Sequence, residues 1–337
     1  MNPATVSNYG IAIDAMGGDY APEQVVLGAL ASANYVKSRL FLVGNPERLS
    51  PLLGNSVPAN LEVVASTQVV EMDDKPVDAI RKKKDSSMAV AIRLVSEGRA
   101  HAMVSAGNTG AATAASLLAW RQLPGVHRPA IATLMPSRGG HFLLLDAGAS
   151  PDIDAENLVE FGLMGIAYAE AVMGRKKAKV HLLNIGEEPG KGNAFSKRAQ
   201  DLLSQYDWFA GNIEGKDLFR ADVDVVVCDA FVGNVVLKTA EGVAEFMVEM
   251  IREQVPTNPI AKLPYAPLRK LFAPIRKKMD YAEVGGSPLL GLNHLTFISH
   301  GRSNARAIEC AIAAADNALQ ADVTGKIRSR MAELMPG

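Results

Sequence analysis

An α/β sandwich with a mainly parallel sheet covered on both faces is the fold class this sequence predicts, and three observations predict it. Short, continuously apolar runs of strand length recur along the chain. Segments of helical length, amphipathic or rich in small residues, separate them. Most of the runs end on clusters of Gly, Asn and Asp, the turn chemistry of strand-to-helix connections. A chain of 337 residues that is 48% hydrophobic can bury a large core. It reads as a single α/β domain over residues 1–337, with a projecting element at about 252–282.

The elements follow in order. Ile11-Ala12-Ile13 is a strand leading to a helix near Pro22 to Val36, where Pro22 suits a first helical turn. Leu40 to Val43 leads to a helix near Pro46, and Leu61 to Val64 forms a further strand. Ser86 to Glu97 reads as a helix, Ala102-Met103-Val104 as a buried strand end, and Ala111 to Ala119 as a helix of very small residues packed closely on its neighbours. Strands at Ala130 to Met135 and Phe142 to Leu145 flank Pro136-Ser137-Arg138-Gly139-Gly140, which reads as a hairpin. A helix over Ala155 to Met173, a strand over Val180 to Leu183, a helix over Phe195 to Gln205 and a strand over Val223 to Val227 continue the alternation. Ile308, Ile312, Ala315 and Leu319 recur at helical spacing near the end. No internal repeat or low-complexity linker interrupts the pattern.

Composition excludes several classes. Basic and acidic residues balance at 35 and 36, so bulk charge gives no reason to expect a nucleic-acid partner. Two cysteines, Cys228 and Cys310, fit buried thiols in a reducing cytosol better than a disulfide. The N-terminus lacks the pattern of a secretory signal and no apolar run reaches spanning length, so the chain reads as soluble and cytoplasmic. The six histidines are scattered, so no metal site is expected. The dinucleotide fingerprint G-x-G-x-x-G is absent, and no cofactor is expected.

The most informative stretch is Ser105-Ala106-Gly107-Asn108-Thr109-Gly110. A strand, a glycine turn and a helix start aim backbone N–H groups and a positive dipole end at an anion. Gly107 and Gly110 let the backbone approach closely, while Ser105, Asn108 and Thr109 add side-chain donors. No Lys-Ser or Lys-Thr pair follows, so this is not a Walker A loop. The turn reads as a phosphate site or, alternatively, as a capped turn without a ligand. Other strand ends carry similar chemistry: Asp14, Gly17, Gly18 and Asp19 after the first strand, Asp146 to Ser150, Asn184 to Asn193, and Cys228-Asp229 to Asn234. Ligands bind beyond the carboxyl ends of strands in such sheets, and these clusters together predict a shared cleft on one sheet edge.

Asp14-Ala-Met-Gly-Gly-Asp19, Ser105-x-Gly-Asn-Thr-Gly110, Asn212-Ile-Glu-Gly215, Phe231-Val-Gly-Asn234 and Gly285-Gly-Ser-Pro-Leu-Leu-Gly291 together resemble the PlsX family. These are bacterial acyl-carrier-protein:phosphate acyltransferases of phospholipid synthesis. The resemblance runs from about Ile11 to the helix after His300-Gly301-Arg302-Ser303. Ser150 and Ala230 depart from the family pattern, which usually shows Asn and Gly there. The resemblance implies a Rossmann-like three-layer αβα fold similar to phosphotransacetylases and isopropylmalate-type dehydrogenases, and a homodimer. It also implies transfer of a fatty acyl group from the carrier-protein thioester to inorganic phosphate, the acyl phosphate passing to a membrane acyltransferase.

The residues suit such a transfer. A thioester is reactive enough for direct attack by phosphate, so positioning and oxyanion stabilisation carry the catalysis, and no G-x-S-x-G nucleophile elbow is present. Phosphate is placed at Ser105, Asn108 and Thr109, with Lys191 or Lys238 as the neutralising cation and as proton donor to the thiolate. Either lysine could instead be a solvated surface residue. Asn234 could donate to the oxyanion or form a turn, and His300 could act in proton transfer or hold a structural hydrogen bond. Asp19 could cap the helix near Pro22, whereas Asp14 needs a role at the cleft floor. Arg81 to Lys84 could meet the acidic carrier protein, or form a solvated face.

Residues Gln254 to Met279 contain no Asp or Glu, while Lys262, Arg269, Lys270, Arg276, Lys277 and Lys278 alternate with Leu268, Leu271, Phe272, Ile275 and Met279. A basic flank beside an apolar stripe suits an element that seeks an anionic lipid surface, and would also serve a dimer contact or carrier-protein dock. Membrane contact is the favoured reading, as the family resemblance implies. Two rival functions stand beside the main one: a phosphotransacetylase-like enzyme acting on acyl-coenzyme A, and a non-catalytic membrane scaffold for lipid synthesis.

Overall fold

The computed structural model describes residues 7–220, 222–253 and 285–334. Their strands form two sheets rather than one. The first has seven strands: β1 (Gly10–Asp14), β2 (Arg39–Gly44), β3 (Leu61–Ala65), β4 (Ala102–Ser105), β5 (Ala130–Ile131), β11 (Ser287–Leu290) and β12 (Leu295–Ile298). They lie in the order β3-β2-β1-β4-β12-β11-β5, parallel except where β11 runs against both neighbours. The second has five: β6 (Thr133–Ser137), β7 (Gly140–Leu145), β8 (Val180–Asn184), β9 (Phe209–Glu214) and β10 (Val225–Val227). Their order is β6-β7-β10-β8-β9, with only β6 antiparallel.

The predicted strand Ala130 to Met135 explains the division. Ala132 donates its N–H to the Pro288 carbonyl of β11, while Leu134 already pairs with Leu143 of β7. One apolar run therefore forms the edge of both sheets, and no local signal marks the crossing. The expected hairpin is present, with Arg138-Gly139 between β6 and β7. The strands β9, β11 and β12 were not among those predicted.

Helices cover the faces. α1 (Glu23–Ala33), α2 (Pro46–Leu53), α3 (Pro76–Lys82), α4 (Ser87–Ser96), α5 (Thr109–Trp120), α6 (Ala155–Ala171), α7 (Ala194–Leu203), α8 (Ala230–Glu253), α9 (Ala305–Gln320) and α10 (Val323–Ala332) follow in chain order. The period-two rule divides each strand between two cores. Ile11 and Ile13 of β1 enter the core shared with α1, α6, α9 and α10, whereas Ala12 enters the one formed with α4 and α5. On the second sheet Leu143 and Leu145 join the large core, and Phe142 and Leu144 face a smaller one under α8. Glycines permit the closest approaches of helix to sheet: a Cβ on Gly165 of α6 would come within 2.5 Å of Val225.

Candidate active site

The carboxyl ends of β1 and β4 are joined by a buried carboxylate. Asp14 accepts hydrogen bonds from Met16 N (3.3 Å) and from the Ser105 hydroxyl (2.8 Å). Burial pushes its carboxyl above the usual value, opposed by hydrogen bonds from Ser87, Ser105 and the amides of Met16 and Gly17. Gly17 and Gly107 meet backbone to backbone; a Cβ on Gly17 would lie 2.9 Å from Gly107 Cα. Asp14 thus orients backbone donors where the sequence called for a role at the cleft floor. Asp19 does not cap α1: the N-cap is Pro22 without a side-chain bond, and the Asp19 amide donates instead to Gly301 O at 2.8 Å. Gly18, with φ +109°, supplies the left-handed turn between them.

Within the glycine turn the side chains are committed to the fold. The Ser105 hydroxyl donates to Asp14 and accepts from Gly107 N at 3.1 Å. Asn108 caps α5 by accepting from Ala111 N (2.9 Å), and its amide donates to the carbonyls of Met72 and Asp74 (3.0 Å each). Both side chains assigned to phosphate in the sequence are thus engaged in hydrogen bonds within the fold. Lys83 pairs with Asp74, so part of the basic cluster serves to hold residues 72–74, a strap across the turn. What the turn offers a ligand is its main chain. Thr109 and Gly110 are exposed and lie in the first turn of α5, where N–H groups have no intrahelical carbonyl. Gly110 is required by packing, since a Cβ there would come within 2.8 Å of Pro76.

The second sheet contributes a matching seat. Asp146, fully buried after β7, accepts from the amides of Ile131, Gly148, Ala149 and Ser150 at 2.8–2.9 Å. Burial pushes its carboxyl up while those four amides oppose the shift. Ser150, the first departure from the family pattern, donates its hydroxyl to Pro129 O at 2.9 Å. Asp229 accepts from Val232 N and so caps α8. Gly233 rests directly on the Asp146 main chain: a Cβ would fall 1.9 Å from Asp146 O. This contact explains the glycine of Phe231-Val-Gly-Asn234. Cys228 lies beneath it, and burial, followed by Asp229 and Asp146, raises its thiol well above the usual value. A thiol held neutral there is a poor nucleophile.

Between the two seats lies a cavity of about 830 Å³. Thr109 stands at one wall, Asn234 and Lys238 of α8 at another, and Ser299, His300 and Ser303 beyond β12 at a third. Ile131, Leu134, Met135, Leu218, Phe219 and Val236 make much of the rest apolar. Lys238 Nζ lies 2.8 Å from Glu241, which lines the same space. It sits more than two turns into α8. His300 Nδ1 accepts from Arg302 N at 3.1 Å, which places the proton of a neutral ring on Nε2.

Of the predicted residues, the cavity brings together Thr109, Asn234, Lys238 and His300; Asp14, Gly17, Gly18, Gly107 and Asp146 support its walls from behind. Lys191 is elsewhere, half-exposed in the loop after β8 and 4.0 Å from Glu188. Its sheet position is two strands removed from β7, which a turn motif cannot reveal. The reading missed Ser299, whose signal is only a polar residue at the end of an apolar strand. The basic segment, with Leu268, Arg269, Leu271, Phe272, Ile275 and Lys277, lies outside the described residues. Among the described residues no group of His, Cys, Asp and Glu is arranged to hold a metal, and no helix is long and apolar enough to cross a membrane.

Comparisons with known proteins agree with the resemblance. A family model described as fatty acid synthesis protein matches residues 9–326. A phosphate acyltransferase of Desulfitobacterium hafniense is 46% identical over 324 residues, covering 95% of this chain and 97% of its own. One from Heliobacterium modesticaldum is 45% identical over 325 residues, with the same coverages of 95% and 97%. Among solved structures, a phosphotransacetylase from Streptococcus pyogenes superposes with a TM-score of 0.63 at 17% identity, covering 94% of each chain. The EutD phosphotransacetylase of Staphylococcus aureus gives 0.60 at 16% identity, over 94% of this chain and 96% of its own. These two show the shared fold.

Proposed function

The chain belongs to the family of fatty acid synthesis proteins, and we propose that it transfers a fatty acyl group from an acyl-carrier-protein thioester to inorganic phosphate. The observation that carries this reading is the cavity, which joins a helix N-terminus and a lysine to a largely apolar space. Phosphate sits at the Thr109 and Gly110 amides, its charge met by the α5 dipole and Lys238. A phosphate oxygen attacks the thioester carbonyl carbon. Asn234 donates to the developing oxyanion; the C–S bond then breaks, leaving acyl phosphate and a thiolate. His300 Nε2–H or Lys238 supplies the proton that makes the free carrier thiol. No covalent enzyme intermediate is required.

The apolar wall favours a fatty chain over a short acyl group, each buried methylene contributing about 0.8 kcal/mol. Association as a homodimer and peripheral contact with the membrane, near the acyltransferase that consumes the product, belong to the same reading. In support, α8 leads toward residue 254 with Val243, Phe246, Met247 and Met250 exposed. The test supplies purified protein with phosphate and either acyl-carrier protein or acyl-coenzyme A, trapping acyl phosphate as a hydroxamate. Product from the carrier-protein thioester is the expected result. Product from the coenzyme A thioester alone would reassign the substrate, and none from either would overturn the activity.

A further inference from the structure

Ser299 is a buried polar residue for which the fold supplies no partner. It follows β12, is 6% exposed, and its hydroxyl makes no hydrogen bond. A buried hydroxyl left without a partner is destabilising, so alanine would serve the fold better at this position. Its main chain, by contrast, is firmly held: Ser299 N donates to Ser105 O at 2.9 Å, and Ile298 pairs with Ser105 across β12 and β4. The residue is thereby fixed beside the strand end from which the glycine turn and α5 depart.

Two further features make the position a prepared one. Gly286 leaves room around the hydroxyl, for a Cβ there would approach Ser299 Oγ to 3.1 Å. Ser299 also lines the cavity that Thr109, Asn234 and Lys238 share. A hydroxyl without a protein partner, anchored next to the N-terminus of α5 and bordering the cavity, is suited to meet an anion held by that N-terminus. Ser105 and Asn108 spend their side chains on Asp14 and on the 72–74 strap, so the turn itself provides no such hydroxyl at its base.

We propose that Ser299 is a phosphate-binding residue, its hydroxyl donating to an oxygen of the phosphate seated at the first turn of α5. This assignment rests on the function proposed above. A neutral donor serves here because it fixes the orientation of the nucleophile without withdrawing its charge, whereas a second lysine would lower its nucleophilicity.

The test compares wild type with Ser299→Ala, varying phosphate at saturating acyl thioester and then the reverse, and titrating inorganic phosphate into each protein by calorimetry. Losing a hydrogen bond to a charged ligand should raise both the KM and the Kd for phosphate about tenfold. The KM for the thioester should stay within about twofold, and the melting temperature should hold or rise because an unpaired hydroxyl has been removed. Ser299→Cys keeps the side-chain volume with a poor donor and should behave like the alanine variant. Unchanged phosphate affinity in either variant would overturn the assignment, as would a lowered melting temperature with both KM values moved equally. If wild type forms no acyl phosphate, the function falls; the calorimetric titration still decides whether Ser299 binds the anion.

Discussion

The turns that open α5 and α7 look like equivalents in sequence, and the fold uses them differently. Each follows a parallel strand, contains glycine, and starts its helix with an asparagine whose side chain accepts from a first-turn amide: Asn108 from Ala111 N, Asn193 from Ser196 N. The first turn is pinned between β1, β12 and the 72–74 strap, and Thr109 beyond it borders the cavity. The second lies on the far side of its sheet, its glycine Gly192 closed against Ser196 and its Lys191 in solvent. A capped glycine turn is thus a local solution to starting a helix. It becomes a site only where a second sheet faces it.

The largest expected break in that comparison comes from separating the two sheets' seats. Gly233→Ala forces a Cβ onto the Asp146 carbonyl and must displace the start of α8; about 3 kcal/mol of stability should go with it. Denaturant unfolding measures the loss, and activity should fall to the detection limit. Native-like stability with full activity would mean that α8 does not need this seat.

A direct contest between the two lysines comes next. Removing Lys238 should lower kcat/KM about 30-fold, the range for a lost charge-assisted contact, with Lys191→Ala staying within about twofold. Equal losses from the two variants, in side-by-side steady-state assays, would place both turns in one site and erase the distinction drawn here.

The smallest effect sharpens the comparison of the caps themselves. Asn193→Ala should cost about 1 kcal/mol, a lost helix cap and little else. Asn108→Ala loses the cap and both strap bonds, so about 2 kcal/mol is expected together with a raised KM for phosphate. Matching thermal shifts and unchanged phosphate dependence would show that the strap contributes nothing.

Most single elements were legible because their causes are local. Alternating or continuous apolar runs placed β1, β2, β4, β7 and β8, and Pro22, Asn108 and the 138–139 turn marked boundaries through backbone chemistry. The joint motifs also carried the family. What was misread depended on distance. Asp19 has the chemistry of a cap yet bonds Gly301 through its main chain, and the bond from the Ser105 hydroxyl to Asp14 was not foreseen. Both partners lie far away in sequence, where periodicity and turn rules have nothing to say.

From its residues alone, this chain determined that strands would alternate with helices and that a glycine turn capped by Asn108 would open α5, since propensity, capping and backbone freedom act over a few neighbours. Only the tertiary structure decided that Ala130 to Ser137 would serve two sheets, that Lys238 and not Lys191 would face Thr109, and that Ser299 would be left with an unanswered hydroxyl. Those outcomes follow from which strands lie side by side, a choice made by burying the whole core at once.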